Sequence, residues 1–395
     1  MRARKLSPLA KFATFNPETV GKDYPFEEIE YIDISSIGSG ASVSRPAVIP
    51  LGTAPSRAKR IVRDGDTIIA NVRPNLRSFL FIKNPKPNTV VSTGFTVLRA
   101  REQADPRFVF YAVTDRSFTE YLSNNAKGTS YPAVDTDTFE RGLVPDVSLG
   151  VQRRVGDILS AYDDLIENNQ RRIKLLEESA RLLYKEWFVR LRFPGYEHTR
   201  IINGVPEGWE KKKLGDLCDE IREMVSPQEV DPDTPYIGLE HIPRRSITLS
   251  TWGKAEEVTS SKHRFRAEDI LFGKIRPYFH KVGITFVDGV SSSDAIVIRP
   301  RRSTLRGLVL MTMSCDPFVE VTAQTMREGS KMPRADWKQM QAYLVPLPPD
   351  GLLSSFDSFV HATVEQLKTL AFANHKLRQA RDLLLPKLMN GEVEI

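Results

Sequence analysis

Cysteine is nearly absent: Cys218 and Cys315 are the two in 395 residues. That excludes a disulfide framework and any cysteine-built zinc cluster, and it suits a reducing compartment. No apolar run approaches the ~20 residues that a membrane helix needs. The basic start, MRARKLSPLAKF, has no apolar stretch behind it, so no secretory signal is expected either. The expected location is the cytoplasm, with no membrane partner. Catalytic signatures are missing as well. There is no GxxxxGK[ST] loop and no GxSxG, and Gly38-Ser39-Gly40 is a turn without the strand-and-helix context of a nucleotide site. The six histidines, at 198, 241, 263, 280, 361 and 375, form no HExxH or comparable spacing, so no metal site is expected. CDPFVEV (315–321) has one proline where a base-flipping adenine methyltransferase needs an Asn/Asp-Pro-Pro-aromatic motif. No compact nuclease pair stands out, although such clusters assemble from distant positions.

The chain has 41% hydrophobic and 27% charged residues, a globular composition long enough for two or three domains. Its 56 basic and 50 acidic residues leave a net +6, which permits a polyanionic partner without demanding one.

Repetition is the strongest feature. GDTIIANVRPN (65–75) looks like one buried strand ending in an Arg-Pro turn, and EDILFGKIRPY (268–278) says nearly the same. YIDISSIGSG (from Tyr31) and YIGLEHIPRR (from Tyr236) are 205 residues apart, and the two Arg-Pro turns 203. VSTGFTVLR (91–99) and SSSDAIVIR (291–299) are 200 apart; GTSYPAVD (128–135) with GSKMPRAD (329–336), and LVPDVS (143–148) with LVPLPP (344–349), are 201 apart. The block order never changes, and the drift is what small loop insertions produce. Each half therefore reads as short β-branched strands between Gly, Pro and Asn turns, then one long helix. PEGW (206–209) has no counterpart before RKLSPLAKFA, so the first half is expected to begin partway through the repeat.

Both helices carry apolar residues at alternating steps of three and four, the pattern of a coiled-coil seam. The first runs through Leu159, Tyr162, Ile166, Asn169, Ile173, Leu176, Ala180, Leu183 and Trp187. The second runs through Val360, Thr363, Leu367, Leu370, Asn374, Leu377, Arg381, Leu384 and Leu388, in a register 201 residues on; a shift of 200 would instead align Ala180-Arg181 with Ala380-Arg381. Two such helices in one chain can pair. A helix of about 35 residues is roughly 50 Å long, a spacer rod. Asn169 and Asn374 either fix the register of that pairing or are solvated where the seam frays. Pro386 is expected to end the second helix early.

These features together resemble the specificity subunit of a type I restriction-modification enzyme: a globular domain, a long helix ending LLYKEWF, the FPGYEH linker, PEGWEKKKLGDL, ILFGKIRPY and the tail LRQARDLLLPKLMNGEV. The motifs are individually soft; their order, duplication and spacing across the whole chain are specific. The resemblance implies an α+β fold with two pseudo-symmetric α/β target-recognition domains, separated by two long helices that form an antiparallel coiled coil. The domains would be residues 1–150 and 196–350, with conserved helices in 151–195 and 351–395. It further implies a non-catalytic subunit that recognises a bipartite double-stranded DNA target with a fixed spacer. The partners implied are two copies of a methyltransferase subunit, which would hold S-adenosylmethionine, and motor-nuclease subunits. A duplicated reader on a rod of about 50 Å also suits contact with DNA at places more than one turn, about 34 Å, apart. The competing classes are a protein-only coiled-coil adaptor and a self-contained DNA-modifying enzyme.

Candidate DNA-reading residues cluster at the repeated blocks. Arg73 and Arg276 precede proline at equivalent strand ends, and arginine suits a bidentate contact with guanine or a phosphate. The other reading makes them internal ion-pair partners of Asp66 and Asp269. Around them lie Asn71, Asn75 and Arg77 in the first half and Lys274, Tyr278, His280 and Lys281 in the second. Because these neighbours differ between halves, they are the better candidates for reading bases. The second block offers Lys127, Ser130, Tyr131, Lys331 and Arg334 around a Gly turn, or alternatively a loop whose Asp135 or Asp336 caps the next helix. The arginines of RRSTLR (301–306) read as a solvated face before one apolar helix, LVLMTMSCDPFV.

Overall fold

The computed structural model describes residues 4–37, 46–128, 131–324 and 333–393. The chain forms two compact units, residues 1–164 with 377–395 and residues 165–376.

In the first unit an antiparallel sheet runs in the order Ala13–Phe15, Phe95–Ala100, Thr67–Ala70, Phe79–Phe81. A second sheet runs Ala47–Pro50, Glu28–Ile32, Thr89–Ser92, Ala58–Ile61, with its two inner strands parallel. The second unit repeats both. Its antiparallel sheet is Cys218–Ile221, Ala295–Pro300, Ile270–Gly273, Val282–Ile284. Its companion sheet has five strands, in which Pro235–Ile237 and Gly289–Ser291 again form the parallel pair. The register repeats too: Ile68 opposes Val97 as Leu271 opposes Val297. Both repeated strands, Thr67–Ala70 and Ile270–Gly273, are buried at every residue. Covered on both faces, they read as continuous apolar runs without alternation. The expected apolar helix after Arg306 is two, Arg306–Met313 and Asp316–Gln324, broken at Ser314 and Cys315.

The two long helices span Leu149–Tyr184 and Asp350–Asn390. Within the second unit they run antiparallel: Asn169 meets Asn374, while Phe188 lies 4.7 Å from the Phe356 ring. Ile166, Leu367 and Leu370 are buried on this seam, and Ile173 and Leu176 are partly covered. Beyond Ile173 the buried line moves one residue on: Glu177 and Tyr184 are deeper than the expected Leu176 and Leu183, because the helix there packs on the α/β domain as well. In the first unit Asp163 pairs with Arg381, Tyr162, Leu377 and Leu384 are half-buried, and Leu159 shares a core with Leu385 and Leu388. The asparagines are not solvated. Asn169 Nδ2 donates to Asn374 Oδ1 at 3.0 Å in a buried pair, the polar contact that fixes a register.

Pro386 does not end its helix, which continues to Asn390. The ring removes one hydrogen bond. Against that loss, Leu385, Leu388 and Met389 are buried with Leu9 and Phe12, and the Arg4 guanidinium caps the Leu388 carbonyl at 2.6 Å.

Candidate nucleic-acid interface

Each repeated strand ends in the same backbone device. Arg73 (φ 51°) and Arg276 (φ 50°) sit in the left-handed region, a proline opens a short 3-10 turn, and a second left-handed residue, Arg77 or His280 (both φ 54°), closes it. Left-handed backbone at a non-glycine residue costs roughly 1–2 kcal/mol, so two per turn must be held in place. The second repeated block does this. Arg73 N–H donates to the Pro132 carbonyl at 2.7 Å and Arg276 N–H to that of Pro333 at 3.0 Å. Val134 and Ala335 N–H donate back to the carbonyls of Asn71 and Lys274. Two blocks more than fifty residues apart in sequence therefore build one edge in each half.

The arginines at that edge point outward. Arg73 and Arg276 are exposed, and neither pairs with the aspartates considered for them. Asp66 and Asp269, 1% and 2% exposed, are instead gripped by Arg99 and Arg299 of the neighbouring strand through two bonds each, at 2.7–2.8 Å. The bond to Asp66 holds the Arg99 pKa up, and Asp269 does the same for Arg299. Arg73 lies 4.5 Å from the centroid of Tyr131, which is 69% exposed. Asn75 and Tyr278, at equivalent positions, are both exposed. Lys127 pairs with Asp135 at 3.1 Å at the surface, and the exposed Arg334 with the half-buried Asp294 at 3.2 Å. Asp135 and Asp336 do cap the following helices; bonds from Thr138 pull the Asp135 carboxyl down to about 2. Ser130 and Lys331 lie outside the described residues, as does the Gly38-Ser39-Gly40 turn.

Five candidates face inward instead. Arg77 donates to the Thr114 carbonyl at 2.8 Å and to Thr119 Oγ1 at 3.0 Å. His280, 6% exposed, contacts the Ser314 carbonyl through Nε2 at 2.7 Å. Thr114 and Ser314 close equivalent helices, so arginine and histidine perform one task in the two halves. A carbonyl can only accept, so Nε2 carries the proton in this contact, and burial lowers the pKa of His280. Asn71 Nδ2 donates to the Thr93 carbonyl at 3.2 Å, and Lys274 Nζ to that of Ser293 at 3.0 Å, again at matching positions. Lys281 Nζ donates to the Leu239 carbonyl, and burial lowers the pKa of both lysines. Buried donors need acceptors, and backbone carbonyls at loop and helix ends supply them.

The sequence reading missed Arg244. It is exposed with its guanidinium 3.9 Å from the Phe279 centroid, and Arg276 is 5.8 Å from the same ring. Its signal was the Arg-Arg pair in YIGLEHIPRR. The histidine spacing was also incompletely read. His361 and Glu365, one turn apart, meet Glu268 with their ligating atoms within 4.8 Å. Both carboxylates already face cations, Glu268 with Arg306 at 2.8 Å and Glu365 with Lys368 at 3.8 Å. Along RRSTLR, Arg301 pairs with Asp219 and Arg302 approaches Asp350. Among the described residues no helix is long and apolar enough to cross a membrane.

Comparison with known proteins agrees with this architecture. Residues 12–178 match the type I restriction modification DNA specificity domain. The chain is 22% identical to the type I restriction enzyme MjaIX specificity subunit of Methanocaldococcus jannaschii, over 83% of this chain and 78% of that one. It is also 22% identical to the HindI specificity subunit of Haemophilus influenzae, covering 86% and 89%. The crystal structure of a type I restriction-modification S subunit from M. genitalium shares the fold at a TM-score of 0.58 and 14% identity, over 98% of this chain and 96% of that one. The chain is thus similar along most of its length to type I restriction enzyme specificity subunits, and its residues 12–178 match the type I restriction modification DNA specificity domain.

Proposed function

We propose that this protein is a non-catalytic DNA-specificity subunit that reads a two-part target, one half with each exposed Arg-Pro edge. The observation that carries this reading is the duplicated edge itself: Arg73 and Arg276 in the same left-handed geometry, exposed, each beside an aromatic ring. An arginine so held has little freedom left to lose on binding and offers its planar fork to guanine O6 and N7 or to a phosphate. Asn75, Tyr131, Lys127, Arg244, Tyr278 and Arg334 supply further base or phosphate contacts around them. Residues 1–150 and 196–350 act as the two readers. The long helices in 151–195 and 351–395 set the spacer between half-sites and carry the partner. On the central helix Leu175 and Leu182, seven residues apart, are 61% and 53% exposed, an apolar face suited to protein docking. The occupants would be two methyltransferase subunits, which bring S-adenosylmethionine, and motor-nuclease subunits in the full cytoplasmic complex.

The test is methylation-site mapping of DNA from cells with and without this chain beside its methyltransferase. A two-part motif of fixed gap that disappears with the chain supports the reading. Methylation that persists unchanged overturns it in favour of a protein-only adaptor, whose binding would also lack the steep salt dependence of phosphate contacts. Shortening each helix by one heptad is expected to change the gap and leave both half-sites intact.

A further inference from the structure

One buried carboxylate plays no part in the reading above. Glu177 lies on the central helix, is 3% exposed, and faces the loop that leads to the second Arg-Pro edge. Its Oε1 accepts from Ser246 Oγ and Thr248 Oγ1 at 2.6 Å and from the N–H groups of Ile247 and Thr248 at 3.0 Å. One turn on, Arg181 donates to the Arg245 carbonyl at 2.7 Å. A buried carboxylate is costly unless it is paired and hydrogen-bonded; here Oε1 takes four donors from one loop, and Oε2 faces the Arg181 guanidinium at 3.5 Å.

The loop passes that constraint to the edge. Ile247 accepts from Ile284 N–H at 2.8 Å, so the loop extends the rim of the antiparallel sheet. Arg245, itself left-handed at φ 55°, donates its N–H to the His280 carbonyl at 2.9 Å, and its guanidinium pairs with Asp316 at 2.8 Å. Arg244 is thereby delivered onto the Phe279 ring, beside Arg276. In the first half the corresponding place on the C-terminal helix, 201 residues on, is Arg378, a donor that offers a loop no such acceptor.

We propose that Glu177 is a positioning residue for sequence recognition: by clamping Ser246–Thr248 to the central helix it sets where Arg244 and Arg276 meet the DNA, and so tunes one half-site only. This rests on the specificity-subunit reading. The test maps methylation by the assembled complex carrying Glu177→Ala, Glu177→Gln, Thr248→Val or Arg244→Ala. The expected result is that Glu177→Ala relaxes base preference on the order of tenfold, about one good base contact, in the same half of the motif that Arg244→Ala affects, while the other half is unchanged. Glu177→Gln, which keeps an acceptor oxygen, and Thr248→Val, which removes one donor, give smaller relaxations of that half; they carry the test if Glu177→Ala does not assemble. Equal relaxation of both halves, or of neither, overturns the proposal while leaving the specificity-subunit reading in place. Absence of any two-part motif with the unsubstituted chain overturns both.

Discussion

The turns at Arg73–Arg77 and Arg276–His280 share a backbone and differ in nearly every polar side chain. Arginine in one and histidine in the other hold a helix-end carbonyl; asparagine in one and lysine in the other hold the next loop. Polar variation between repeats is therefore not a marker of base reading. It marks positions where one hydrogen-bonding duty can be met by several chemistries, because a backbone carbonyl accepts from any donor that reaches it. At Asn75 and Tyr278 no such duty is imposed, since both are exposed.

The comparison breaks most sharply at the buried carboxylates. Asp66→Ala and Asp269→Ala each strip a two-bond partner from an arginine, and each is expected to destabilise its own unit by about 3 kcal/mol, read by urea unfolding with hydrogen exchange in both units. A large effect in one unit alone would show that the two scaffolds are not equivalent. Next come the exposed arginines. Arg73→Ala and Arg276→Ala are each expected to cost about 2 kcal/mol of binding and to relax opposite halves of the target in site-selection assays, with unfolding transitions unchanged. If both relaxed the same half, the two-reader arrangement would be wrong.

Acidification should separate the units further. His280 has a depressed pKa in the folded state, so below the ordinary histidine value of about 6.5 the unfolded chain takes up a proton that the folded chain resists. Stability present above that pH is lost as the pH falls through it, at up to about 1.4 kcal/mol per pH unit. The loss belongs to the second unit, since Arg77 stands at that place in the first. Unfolding of the second unit at pH 5.5 and 7.5, with and without His280→Gln, checks this; an unchanged pH dependence in the variant would assign the loss to other groups, His263 among them, whose pKa burial also lowers. The smallest effect is expected from exchanging Asn75→Tyr and Tyr278→Asn. Stability should move by less than about 0.5 kcal/mol, while base preference in site selection shifts.

Much of the architecture was legible because it rests on periodicity and repetition. A strand buried on both faces must be apolar throughout, so GDTIIAN and EDILFGK disclosed their setting, and a three-four spacing with Asn169 and Asn374 in step disclosed the helix pair. The helix end at Pro386 was misread because local propensity there is outweighed by the burial of Leu385, Leu388 and Met389. The seam was misplaced by one residue at Leu176 and Leu183 because periodicity registers one partner surface and this stretch has two.

At the candidate edge, residue types alone indicated the place but not the direction of each side chain. That Arg73 faces outward while Arg77, four residues on, is turned onto Thr114 depends on two left-handed residues and on a loop brought in from beyond residue 127. The chain's own pattern was sufficient for the duplicated scaffold and for the residue types that suit DNA. Which arginine stays exposed, which one braces a helix end, and which carboxylate clamps the loop were decided by long-range packing, since a side chain's exposure is a property of what folds against it.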